Sequence, residues 1–204
     1  MRKIEFTYLR GVASDTVMNH VDTVQLLSRC REGDSPAIES LVRTYESSVY
    51  RLAISILDDP AEADEATQDA LVAALGKLSS YRGQAKFTTW LYTITLNVCR
   101  GRLRKRRSQA RLAQALQALY RLTGEPETRP EQKAIHNETH TRLWQAISAL
   151  DDRRREAVIL RYYHELSLQE IGQVLEVSER TVRTWLHTAH EQMRVMLASE
   201  EEWQ

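Results

Sequence analysis

The chain has 204 residues, 42% of them hydrophobic, and its 28 basic and 28 acidic side chains cancel to a formal charge of zero. That length allows one or two domains, and that apolar content excludes a disordered chain. No run approaches the roughly 18 apolar residues a membrane span requires, and the first twenty residues lack the continuous apolar core of a secretory signal.

The expected fold is all-α, two helical domains joined by a linker. The boundaries fall as an extension over 1–20, a first domain over 21–107, a partly helical linker over 108–137, a second domain over 138–198 and a tail over 199–204. The extension is either flexible or the product of a start codon placed ahead of Met18. Cys30 and Cys99 are the only cysteines, suit a reducing cytoplasm and read as buried or inert thiols, with a disulfide between them left open.

Asp22 with Gln25 three residues on marks a first helix whose apolar face is Leu26, Leu27 and Cys30, ended at Gly33. Pro36 sits near the first turn of a second helix, in which Ile38, Leu41, Val42, Tyr45, Val49, Leu52 and Ile56 recur at helical steps. Asp59 and Pro60 cap and open a third, burying Ala66, Ala70, Leu71, Ala74, Leu75 and Leu78. "SSYRGQAK" is a loop by composition, and a fourth helix runs from about Thr88 past Arg100, its spacing continuing through Leu112, Leu116, Leu119 and Leu122. "TGEPETRPEQK" breaks all regularity. Beyond it Leu143, Ile147 and Leu150 face inward on a helix, "DDRRREAVILRYYH" caps and restarts another, and a short helix, a tight turn and a final helix follow.

Charge is sorted along this chain. No acid occurs between Ala70 and Gly124, and no base between Leu52 and Gly76, where Asp58, Asp59, Glu62, Asp64, Glu65 and Asp69 gather. On the fourth helix Thr89, Thr93, Asn97, Arg100 and Arg104 step along one face, preceded in the loop by Arg82 and Lys86. Cations suit phosphates while Thr and Asn suit base edges, and a merely solvated face mixes both signs. The acids complement a helix N-terminus in part, but such a face would repel DNA and fits a protein partner with a basic surface.

Ser167 to His190 fits a helix-turn-helix. Ile171 and Leu175 point inward, small Gly172 admits a close crossing, Val177 plugs the turn and Ser178 caps the second helix. Val182, Leu186, Ala189 and Met193 form its buried stripe, which leaves Arg180, Thr181, Arg183, Thr184 and His187 outward, the make-up of a DNA recognition helix. His136 and His140 lack further ligands for a metal site, and neither a phosphate-binding glycine loop nor a catalytic cluster is evident. No cofactor, metal or enzymatic activity is expected. A helix-turn-helix regulator acting alone is the alternative.

On these residues the chain resembles a bacterial sigma factor of the extracytoplasmic-function (ECF) group. "ADEATQDALVAALGKLSSYRGQAKFTTWLYTITLNVCR" is similar to the family's region two, and "ISALDDRRREAVILRYYHELSLQEIGQVLEVSERTVRTWLHTAHEQM" to its region four. The resemblance covers about residues 22–107 and 138–197. It implies that the chain binds core RNA polymerase, recognises minus-ten and minus-thirty-five promoter elements and promotes promoter melting without catalysis of its own. It implies polymerase docking by Asp64, Glu65, Gln68 and Asp69. The minus-ten element would be bound by Arg82, Lys86, Thr89, Thr93, Asn97, Arg100 and Arg104, with loop 79–87 capturing an unstacked base. The minus-thirty-five element would be read by Arg180, Thr181, Arg183, Thr184 and His187. An anti-sigma factor is a further expected partner. The sequence departs from the family at Tyr81, where Phe is usual, at Ala66 and Leu71, at Glu176 and Arg180, where Gly is frequent, and at Trp185, where a base is common.

Overall fold

A computed structural model describes residues 20–123 and 138–198, with side chains over 23–114 and 143–197. Residues 1–19, 124–137 and 199–204, including Met18, His136, nearly all of the expected extension, the second part of the expected linker and the expected tail, lie outside the described residues.

Local signals account for the helix boundaries. Helix α1 (His20–Arg31) begins two residues before Asp22. Gly33 follows it at φ 81°, a left-handed turn that glycine adopts without steric cost. Helix α2 (Ser35–Leu57) starts where the Asp34 carboxylate accepts from the Ala37 N–H at 3.4 Å. Helix α3 (Pro60–Gly76) starts where Asp59 accepts from the Glu62 N–H at 2.9 Å. One 3-10 turn, Leu78–Ser80, leads into the loop. Helix α4 (Phe87–Thr123) is a single helix of 37 residues, so the fourth element and the leucine-spaced segment are one rod across the expected boundary at 107.

In the second unit α5 (Glu138–Ser148) precedes α6 (Asp152–Val158), capped by Asp151. A π turn, Ile159–Tyr163, ends at His164, and Glu165 is left-handed at φ 54°. Helix α7 (Leu168–Leu175) carries a complete capping box between Ser167 and Glu170. Helix α8 (Glu179–Ala198) is capped by Ser178, whose Oγ accepts from the Thr181 N–H at 3.1 Å. The described residues contain no strand.

Two apolar clusters form. One lies within the first unit, where Leu27, Leu41, Val49, Ala70 and Leu91 interlock. The other starts on the first unit with Leu52, Ile56, Leu96 and Cys99 and continues through Ile147, Leu160, Ile171, Val182 and Met193 of the second. Helix α4 therefore faces two ways. Its Leu91 and Ile94 pack inward on the first unit, and its Leu96, Cys99 and Leu103 belong to the shared cluster. Cys30 and Cys99 are both buried free thiols, and burial pushes Cys99 up to about 12, so neither is a ready nucleophile at neutral pH.

Candidate nucleic-acid interface

Helix α4 displays the polar stripe unevenly. Arg82, Lys86, Asn97 and Arg104 are exposed, Thr93 and Arg100 are half-buried, and Thr89 is only 3% exposed. The Thr93 hydroxyl donates to the Thr89 carbonyl at 3.1 Å, and Arg100 Nη1 donates to Asn97 Oδ1 at 3.4 Å. That second bond occupies the amide oxygen of Asn97 and fits an arrangement in which its NH2 group is left to donate outward. Thr89 instead lines a cleft of about 650 Å³ with Tyr45, Lys86 and Tyr92, to which Leu166 and Glu170 of the second unit also contribute.

The loop before α4 is braced rather than slack. Gly83 is left-handed at φ 72°, and the Tyr81 hydroxyl donates across the loop to the Ala85 carbonyl at 2.7 Å. From α1, Arg31 donates to the Tyr81 carbonyl at 2.6 Å and to the Leu78 carbonyl at 3.2 Å. The Tyr81 ring packs edge-on against Phe87 at 5.4 Å and lies 5.4 Å from Trp90. Tyrosine in place of phenylalanine thus adds a strut to the loop.

On α3 the four docking candidates divide. Asp64 and Gln68 are exposed and continue on one face into Val72, 69% exposed. Glu65 and Asp69 are also exposed, but Arg102 of α4 reaches both, at 2.8 and 2.5 Å. The acidic face and the basic helix therefore meet along one edge instead of standing apart.

The helix-turn-helix has the geometry its residues dictate. A β-carbon on Gly172 would sit 2.8 Å from the Val177 carbonyl oxygen, closer than real contacts allow, so only glycine lets the turn pass over α7. Glu176 occupies the left-handed cap of α7 at φ 58°, which is why glycine is favoured at such a position. Val182, Leu186, Ala189 and Met193 are buried, while Arg180, Arg183, Thr184 and His187 are exposed and Thr181 half-buried. Thr184 returns its hydroxyl to the Arg180 carbonyl, and Arg183 pairs with Glu179 at 3.1 Å. Trp185 lies against the core with the Arg153 guanidinium 5.7 Å over its ring, so it is packed within the second unit.

Sequence reasoning missed the acids that meet α4 from the second unit. Glu156, 2% exposed, takes both Arg100 Nε at 2.9 Å and Nη2 at 2.6 Å. Asp152 receives two bonds from Arg107, at 2.8 and 2.7 Å, which hold its carboxyl below the usual range. Lys86 pairs with Glu170 at 2.8 Å; burial pushes Glu170 up, but hydrogen bonds from Lys86 and Ser167 outweigh it and bring it to about 2. His164 packs edge-on against Tyr92 of α4 at 5.2 Å. Its Nε2 has no partner among the described residues, and burial, with Arg51 assisting, drives it down to about 3. The one available signal was Glu156 itself, an acid set directly before the apolar run Ala157–Leu160.

Among the described residues no three metal-ligating side chains cluster, and no helix is long and apolar enough to cross a membrane. A family model described as Sigma-70 region 2 matches residues 41–109, and one described as Sigma-70, region 4 matches residues 140–193. The chain is 30% identical over 176 residues to ECF RNA polymerase sigma factor SigW of Bacillus subtilis, covering 84% of this chain and 94% of that protein. It is 30% identical over 173 residues to RNA polymerase sigma-H factor of Pseudomonas aeruginosa, covering 82% and 89%. In fold it is similar to CnrH, solved in complex with the cytosolic domain of CnrY, at a TM-score of 0.63 and 24% identity over 85% of this chain and 96% of that one.

Proposed function

We propose, since the chain belongs to the ECF group of RNA polymerase sigma factors, that it docks on core polymerase through α3 and reads promoter DNA with α4 and α8. Its general role is that of a sigma factor in transcription initiation. In the finer reading, Asn97 and the cations around it hold the single-stranded minus-ten element, with the braced loop 79–87 receiving an unstacked base. Extruding a base costs a few kcal/mol, which a rigid aromatic-lined pocket offsets. The exposed face of α8 enters the major groove at the minus-thirty-five element, its guanidinium groups suited to guanine edges and its N-terminus to phosphate.

The observation that carries this reading is the presence, in one chain, of Asn97 exposed among α4 cations and of a helix capped by Ser178 with an exposed polar face. Docking falls first to Asp64, Gln68 and Val72, because Glu65 and Asp69 already grip Arg102. An anti-sigma protein is a further partner in this reading; CnrH was solved with CnrY bound, and the two chains share a fold. Run-off transcription with core polymerase on a promoter library is the test. Transcripts that require the added chain and share upstream elements are expected, and a polymerase that gains no start sites from it would refute the reading.

A further inference from the structure

We infer that Arg153 of α6, held over the ring of Trp185, binds a phosphate of the duplex that α8 reads, and that Trp185 is the residue that positions it. The inference rests on the reading of α8 as the helix that enters the major groove, and adds to that site a cation from a different helix.

Helix α8 leaves one of its edges without charge. At about 3.6 residues per turn, Arg180, Arg183, Thr184 and His187 spread over the face opposite the buried stripe, with Arg183 at one edge. The other edge carries Thr181, Trp185 and Thr188, neighbours at helical spacing and all uncharged. A helix roughly 10–12 Å across fills a major groove about 12 Å wide, so each edge comes against a phosphate strand. Arg183 is placed for one strand, because its pair with Glu179 is exposed on both sides and readily exchanged. At the other strand α8 offers no cation of its own. Trp185 is also the position at which the sequence departs from the base common in the family.

Arg153 fills that gap. Its guanidinium lies 5.7 Å from the centroid of the Trp185 ring. Three arginines stand in a row at the start of α6, and their partners differ. Arg154 pairs with Asp151 and Arg155 with Asp152, so both neighbouring acids are already engaged. Arg153 is exposed and makes no ion pair among the described residues. An arginine stacked on an aromatic face keeps its N–H donors free at the rim of the guanidinium plane, where a phosphate can meet them. The stacking also restricts the side chain before DNA arrives, which lowers the entropy lost on binding. Trp185 is itself fixed, since its ring packs on the core of the second unit. The indole is the platform, and Arg153 is the group that touches DNA.

A phosphate contact carries no sequence information, so its test needs no cognate promoter. The probe is a fluorescein-labelled duplex of random sequence, roughly 30 base pairs or about three helical turns long. It is titrated by anisotropy over a range of salt concentrations against the full-length chain, alone and assembled with core polymerase. Losing one phosphate contact makes the log–log slope shallower by about 0.9, which at ~0.1 M salt is about an eightfold loss of affinity. Arg153→Gln is expected to show that loss, and Arg153→Lys, which keeps the charge, to retain the parental slope. Trp185→Leu keeps an apolar side chain against the core but removes the ring face. It is expected to weaken binding, and adding Arg153→Gln to it should cost less than in the parent. Circular dichroism checks its folding, and Arg153→Gln, at an exposed site, carries the test if Trp185→Leu is unfolded. An Arg153→Gln chain with the parental slope would overturn the phosphate contact. Equal losses from Arg153→Gln with and without the ring would overturn the positioning role of Trp185. If Arg183→Gln flattens the slope while Arg153→Gln does not, the inference alone falls; if neither does and the chain directs no transcription with core polymerase, the reading of α8 falls with it.

Discussion

At the scale of single residues, the exposed polar groups of α4 differ in role from the groups that hold them in place. Asn97 is exposed at the midpoint of the α4 stripe, its oxygen taken by Arg100. Replacing it with alanine should cost about 1–3 kcal/mol of base discrimination. The expected result is reduced strand opening at a cognate promoter, followed by permanganate reactivity, with polymerase affinity unchanged. Glu176 is a different case. It holds a left-handed backbone that costs a non-glycine residue about 1–2 kcal/mol, part of which glycine's greater chain entropy offsets. Glu176→Gly should therefore stabilise the protein by about 0.5–1 kcal/mol in a denaturant melt. Little of this residue-scale detail was legible beforehand. Arg100 was recognisable as a cation on the polar face of the helix, but its partner lies 56 positions away, and nothing in helical periodicity couples residues across such a gap. Arg31, which braces the loop from α1, was invisible for the same reason.

Elements were more legible, because their causes are local. Asp59 and Ser178, read as caps from the sequence, bond the first turns of α3 and α8, and the structure adds Asp34 and Ser167, which do the same for α2 and α7. Helix α4 runs on into the segment read as a partly helical linker because nothing between Arg100 and Leu122 breaks a helix: there is no proline, and Gly101 alone costs little. The π turn at Ile159–Tyr163 had no sequence signature, being a one-residue adjustment that tertiary packing selects. The crossing of α7 and α8 gives a sharp test. Gly172→Ala would force a β-carbon to 2.8 Å from the Val177 oxygen, and that oxygen belongs to backbone that cannot move without shifting the turn. A loss of about 1–3 kcal/mol is expected in thermal unfolding, of the size seen for overpacking. Duplex DNA binding should fall with it.

For the whole molecule, the sorting of charge along the chain predicts a cationic α4 and an acidic α3, but not how the two and the second unit meet. Two units were expected, and the described residues share one apolar cluster through Leu96 and Cys99, with acids of the second unit on cations of the first. His164 makes this packing sensitive to acid. It faces Arg51 from α2, Tyr92 from α4 and its neighbour Tyr163, in a cleft that also holds Lys86, Glu165 and Glu170. Because its pKa when buried is about 3, below the ordinary 6.5, its contribution is complete above pH 6.5 and is lost as pH falls through the range below. Glu170, held at about 2, acts in the same sense below about pH 4.5. Melting temperature should therefore drop between pH 7.5 and 5.5, and His164→Gln should flatten that dependence. Promoter binding by the assembled polymerase should weaken with salt, with a log–log slope near −4 to −5 if about five phosphates are contacted.

The most direct test of the account is to measure polymerase association and strand opening on the same samples of parent, Asn97→Ala and Asp64→Lys proteins. Asn97→Ala should associate like the parent and open the promoter poorly, while Asp64→Lys should associate weakly. Two variants that both associate and open promoters as the parent does would contradict the assignment of α3 to polymerase and α4 to DNA.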